Sequence, residues 1–129
     1  MKTLSLILVF ICFNLIAYSS QTIDQILLNA NQGNVEAQSK LGSYYDHGYK
    51  VDVDKIKSAK WYHKAAEQGH IRSQVVLARK YERGDGIPQD GAMAVKWYRE
   101  AANKNDILAM RSLHSLHELL LVERANIKK

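Results

Sequence analysis

Two histidines three residues apart, His114 and His117, are the nearest approach to a metal pair in this chain. Side chains at i and i+3 on a helix share a face, so two imidazoles at this spacing can meet one ion. Nothing nearby completes the shell. No cysteine or carboxylate pair lies close, and on a helix Glu118 points about 100° away from His117. The pair reads better as cap-helix residues standing in for a glycine and a tyrosine. His47, His63 and His70 are dispersed and read as surface or capping residues. The chain has no glycine-rich phosphate loop, no nucleophile elbow and no His-Glu-x-x-His run. No catalytic residue, metal ligand or cofactor is therefore expected.

Binding chemistry is better represented. Arg72, Arg79 and Arg83 fall at i, i+7 and i+11, one face of a helix that also carries Val75 and Val76. The same face holds Ser39 and Ser43 one period earlier, and Arg111 and Ser115 one period later. It is either a solvated basic stripe or the wall of a groove for an acidic partner. Trp61-Tyr62 and Trp97-Tyr98 could be taken for a stacking platform. Their regular recurrence on a packing face makes core the better reading.

The elements that position these residues follow from a repeat. A shift of 36 residues superposes Leu41 on Leu77, Tyr45 on Tyr81, Gly48 on Gly84, and Asp54 on Asp90. It also superposes Trp61-Tyr62 on Trp97-Tyr98, and Ala65-Ala66 on Ala101-Ala102. Each period divides into two helices. In the first, Val35, Ala37, Leu41 and Tyr45 form one apolar stripe, copied by Ile71, Ser73, Leu77 and Tyr81. Gly48 and Gly84 sit where a helix ends in a left-handed residue. Asp54 and Asp90 sit where the next helix needs an N-cap. Small residues such as Gly42, Ala78 and the alanine pairs let helices approach, and the aromatics fill the wider gaps. One helix pair cannot bury both faces, so pairs stack into a solenoid.

This pattern resembles the Sel-one-like repeat family, relatives of the tetratricopeptide repeats. The motif is carried by Ala37, Leu41, Gly42, Tyr45, Gly48, Asp54, Trp61, Tyr62, Ala65, Ala66 and Gly69, then by Leu77, Tyr81, Gly84, Gly86, Asp90, Trp97, Tyr98, Ala101 and Ala102. The resemblance covers about residues 30 to 121. It implies an all-α, TPR-like α-α superhelical solenoid of about six helices after the N-terminal segment. It also implies that the first helices line a concave face where ligands bind. Lys40, Tyr44, His47, Arg72, Arg79, Arg83 and Arg111 are the candidate partner-binding residues there. One departure stands out. Lys50 holds the place of the loop glycine Gly86, so either it bears a strained positive φ or its loop takes another path, and this loop is where the two repeats are expected to diverge.

Both ends of the repeat region look like caps. Residues 22–32 read as an N-cap helix, 33–68 as repeat one, 69–104 as repeat two, and 105–124 as a C-terminal cap helix. Leu116, Leu119, Leu120, Leu121 and Val122 are more apolar than a solvent-facing cap requires. They either close the core or add a dimer face.

Residues 1–19 read as a secretory signal peptide. Lys2 provides the charge, Leu4 to Ala17 an apolar run, and Ala17 and Ser19 the small residues before cleavage. The apolar run is short for a spanning helix, which needs roughly 20 residues. An uncleaved anchor is the competing reading. Cleavage would remove Cys12, the single cysteine, and leave residues 20–129 with 17 basic and 13 acidic residues. A cysteine-free domain suits an oxidising compartment such as the bacterial periplasm or the exterior.

The functional expectation is a non-catalytic, exported scaffold or regulator that binds a protein partner, with immunity and envelope regulation as roles suggested by the resemblance. Nucleic acid is disfavoured by export and by a net charge of only +5 over the whole chain. No membrane span is expected after cleavage, and the oligomeric state stays open. The alternative is a β-lactam-binding or hydrolysing enzyme of the repeat type. Ser39-Lys40 and Ser58-Ala59-Lys60 both miss the Ser-x-x-Lys spacing that chemistry uses.

Overall fold

A computed structural model describes residues 2–19 and 22–127 of the chain. Among them there are seven helices and no strand. They are α1 (Lys2–Ser19), α2 (Ile23–Asn31), α3 (Val35–His47), α4 (Lys55–Glu67), α5 (Ile71–Arg83), α6 (Gly91–Ala102) and α7 (Ile107–Ile127). From α2 onward each helix packs against the next in the chain, the arrangement of an α-α solenoid.

The helix boundaries have local causes that repeat with the period. Asn34, His70 and Asp106 each open a first helix, accepting the backbone N–H of Ala37, Ser73 and Ala109 at 2.8, 3.2 and 2.8 Å. Asp54 and Asp90 open the second helices, accepting from Lys57 and Met93 at 2.9 and 3.0 Å. Gly48 and Gly84 close the first helices at φ 73° and 71°. Nothing of this kind interrupts α7. It runs on to Ile127 instead of ending near Arg124, because neither glycine nor proline stops it.

Two apolar clusters hold the stack. Ile26, Ala30, Ala37 and Leu41 form one, between α2 and α3. Leu77, Ala78, Ala94, Trp97, Tyr98, Ala101 and Ala109 form the larger one, with Ala66 joining from α4. Tyr62 and Tyr98 are both buried, as core packing requires. The tryptophans differ. Trp97 is buried, whereas Trp61 is half-buried at the edge of the first cluster. The helix it packs toward, α2, has nine residues against 13 in α4, so it covers less of the indole. On α7, Leu113 and Leu116 pack onto the larger cluster, while Leu119, Leu121 and Val122 stay exposed.

The loop at Lys50 does not diverge from its copy. Lys50 keeps φ at 61°, against 74° for Gly86. Each loop returns to its helix by the same bond, Asp54 N to Tyr45 O at 2.8 Å and Asp90 N to Tyr81 O at 2.9 Å. A left-handed non-glycine residue costs about 1 kcal/mol. The Lys50 ammonium over the Tyr49 ring at 5.6 Å offsets part of this. Lys50→Gly is expected to stabilise the fold by roughly 0.5 kcal/mol, read as a higher urea midpoint with unchanged slope.

Side chains from Leu4 to Ile11 on α1 are exposed, and so is Cys12. No helix among the described residues is long and apolar enough to cross a membrane. The expected cleavage point abuts residue 20, which lies outside the described residues.

Candidate functional site

The first helices α3 and α5, linked across the repeat junction by Lys80 and Asp46, both line a cleft of about 710 Å³. Four of the anticipated residues meet there: His47 from α3, and Arg72, Arg79 and Arg83 from α5. Their spacing along α5 is the reason, since i, i+7 and i+11 share one helix face. Val75 and Val76 from the same helix, with Leu108 from α7, add an apolar lining. The three arginines are exposed, and no carboxylate among the described residues pairs with them. A second cleft of about 630 Å³ adjoins the first, sharing Ser43, Tyr62 and Arg72, and brings in Lys40.

Tyr44 and Arg111 do not join this group. Tyr44 packs on the Ile26–Leu41 cluster, and its ring meets Tyr49 edge-on at 4.8 Å. Arg111 is exposed on α7 and lines neither cleft. His114 and His117 are exposed on α7 as well, and among the described residues no three His, Cys, Asp or Glu side chains gather around a common point.

Beneath the arginines lies a polar arrangement that the repeat pattern did not announce. Lys80 is 3% exposed, and its ammonium donates to Asp46 at 2.6 Å and to Asp85 at 3.0 Å. Lys55 and the Ser58 hydroxyl also donate to Asp46, at 3.0 and 3.3 Å. Partial burial alone would raise the Asp46 carboxyl. The hydrogen bonds and charges of Lys80 and Lys55 outweigh that and hold it below the usual carboxylate value. The signal that could have found this cluster is the repeat register. Lys80 occupies the position of Tyr44 and Leu116, where a charge needs a partner.

Two buried phenols are hydrogen-bonding groups, not bases: Tyr62 lines both clefts, whereas Tyr98 lies in the larger apolar cluster. Burial pushes Tyr98 up to about 12, helped by the bond its hydroxyl donates to Glu82 at 2.9 Å. Burial likewise raises Tyr62, which hydrogen-bonds Ser43. The first cleft offers exposed guanidiniums, the Tyr62 phenol and an apolar lining; of its three carboxylates, Asp46 and Asp85 are paired with Lys80 and Asp106 caps α7. This combination suits recognition of an acidic surface or segment.

The Sel1 repeat model matches residues 35–70 and 71–106, so its unit opens at the first helical residues of α3 and α5. The Sel1 repeat protein of Oxalobacter formigenes is similar at 34% identity with a TM-score of 0.70, over 72% of this chain and 70% of that one. A protective antigen present in uropathogenic Escherichia coli strains, displaying an SLR fold, is 36% identical with a TM-score of 0.69. That match spans 73% of this chain but 20% of the antigen. Cysteine rich protein B of Helicobacter pylori shares the fold at 23% identity and a TM-score of 0.69, over 79% of this chain and 80% of that one. Among curated proteins, none matches the chain significantly.

Proposed function

This chain belongs to the Sel1 repeat family, and from that premise we propose that it is a non-catalytic scaffold or regulator whose α3–α5 groove holds an acidic segment of a protein partner. Proteins of this family generally mediate protein–protein interactions. The observation that carries the finer reading is the row Arg72, Arg79 and Arg83, exposed and without carboxylate partners, beside an apolar lining. Unpaired cations in a concave wall attract an opposite charge and fix its register. The N-terminal segment supports action outside the cytoplasm, in the periplasm or beyond it. A chain matched by two repeats favours one partner over a long assembly platform, as an immunity or envelope-regulatory factor would need.

The triple variant Arg72→Ala, Arg79→Ala, Arg83→Ala tests the groove. Exposed ion pairs contribute about 0.2–1 kcal/mol each. Affinity for a polyglutamate peptide, read by fluorescence anisotropy at low salt, is expected to fall about tenfold. Equal affinity of the wild type and the variant would remove this face from the binding site.

A further inference from the structure

Gln38 and Gln74 occupy one repeat position. Each donates its side-chain amide to the carbonyl of an alanine near the end of the preceding helix, Ala30 or Ala66, at 3.1 Å. They differ at the other end of the amide. Gln38 Oε1 accepts from Gln68 Nε2 at 2.7 Å. One period after Gln68 stands Lys104, and its ammonium donates instead to the Gly69 carbonyl at 2.8 Å. Gln74 Oε1 is thereby left buried without a partner, as is Trp97 Nε1. Gln74 is 2% exposed and Trp97 6% exposed. Both residues line one cleft of about 620 Å³, with His63, Lys96 and Lys104 around them. This cleft shares no lining residue with the arginine groove.

Buried polar atoms in folded proteins are nearly always paired, because stripping them of water without replacement is unfavourable. A lone orphan could be incidental. Here an acceptor and a donor are orphaned together beside one cleft, in the repeat where the internal partner is missing. The orientation of the Gln74 amide is settled by chemistry. Its NH₂ must face the Ala66 carbonyl, so its oxygen is the atom left over. We propose that this cleft binds a primary carboxamide, such as an Asn or Gln side chain of a protein partner. The carboxamide NH₂ donates to Gln74 Oε1, and its carbonyl accepts from Trp97 Nε1. A carboxylate could serve the indole but would set its lone pairs against the Gln74 oxygen. An ammonium would reverse the mismatch. A carboxamide carries the donor and the acceptor side by side. Both orphaned atoms are closed off from solvent at the wall of the cleft, so Lys104, anchored at the rim on Gly69, must move aside to admit it.

The indole N–H signals of ¹⁵N-labelled protein read this directly. The chain has two tryptophans, and Trp61→Phe assigns the remaining indole signal to Trp97. Titration with acetamide is expected to move the Trp97 indole signal saturably, with half-saturation on the order of tens of millimolar for so small a ligand. The Trp61 signal stays in place. Lys104→Gln restores to Gln74 the partner that Gln68 gives Gln38, and should abolish the response while leaving the fold intact. Gln74→Leu, which removes the acceptor, should weaken it at least several-fold. The site is refuted if acetamide moves both indole signals alike or neither, or if Lys104→Gln responds as the wild type does. A stronger response to acetate than to acetamide refutes the carboxamide assignment.

Discussion

Asp46→Ala should lower stability by about 3 kcal/mol, through a lysine that it leaves stranded. Lys80 is 3% exposed and donates to Asp46 at 2.6 Å. Its other partner, Asp85 at 3.0 Å, is 38% exposed and therefore screened by water. Removing Asp46 leaves a buried ammonium with only this weaker carboxylate, which places the cost at the low end of the range for broken buried pairs. The double variant Asp46→Ala, Lys80→Leu should recover most of the loss, because the third copy of this position is already a leucine, Leu116. Urea denaturation of both single variants and the double variant gives the coupling. A double variant no more stable than Asp46→Ala alone would show that the cost lies in packing and not in charge.

The same cluster sets an acid limit. The Asp46 carboxyl is held below its ordinary value near 3.8, so it favours the folded state most fully above that pH. The contribution is lost as pH falls through the lower, folded value. Wild type should therefore lose more stability between pH 5 and pH 3 than Asp46→Asn does, with urea midpoints at the two pH values as the measure. Equal losses would mean that other carboxylates govern the acid limit.

How much of this was legible in the sequence depends on whether a residue obeys the period. Gly48, Gly84, Asp54 and Asp90 recur because each repeat turns its backbone in the same places, and that recurrence specified the solenoid. The arginines of α5 were legible as one face because helix geometry needs only their spacing. Lys80 and Asp46 were not, since they interact across the repeat junction and the lysine has no copy, although a carboxylate recurs at Glu82 and Glu118. Gln38 and Gln74 lay in plain register, yet their importance depends on Gln68 and Lys104, where the register breaks. Tyr44 was misplaced for a related reason. The resemblance put it among the residues of the concave face, but its ring turns toward the α2–α3 cluster and Tyr49.

Gly86→Ala should cost roughly 3–5 kcal/mol, far more than φ alone explains. At φ +74° a Cβ on residue 86 would collide with the Lys55 carbonyl oxygen and carbon. Those are backbone atoms at the start of α4 and cannot swing aside, so the loop or the helix must shift. Lys50 is the internal control, holding nearly the same backbone conformation with a full side chain. The difference is the neighbour. One period before Lys55 the corresponding helix start is missing, because α2 begins only at Ile23. Repeat one therefore pays the left-handed strain alone, and repeat two would add a backbone collision. Gly86→Lys, copying repeat one, should be at least as damaging as Gly86→Ala, whereas Lys50→Ala should change stability by less than about 1 kcal/mol. Thermal and urea unfolding of the three variants decide the point. If Gly86→Ala lost no more than about 1 kcal/mol, the close approach of loop and helix would not be holding the two repeats together.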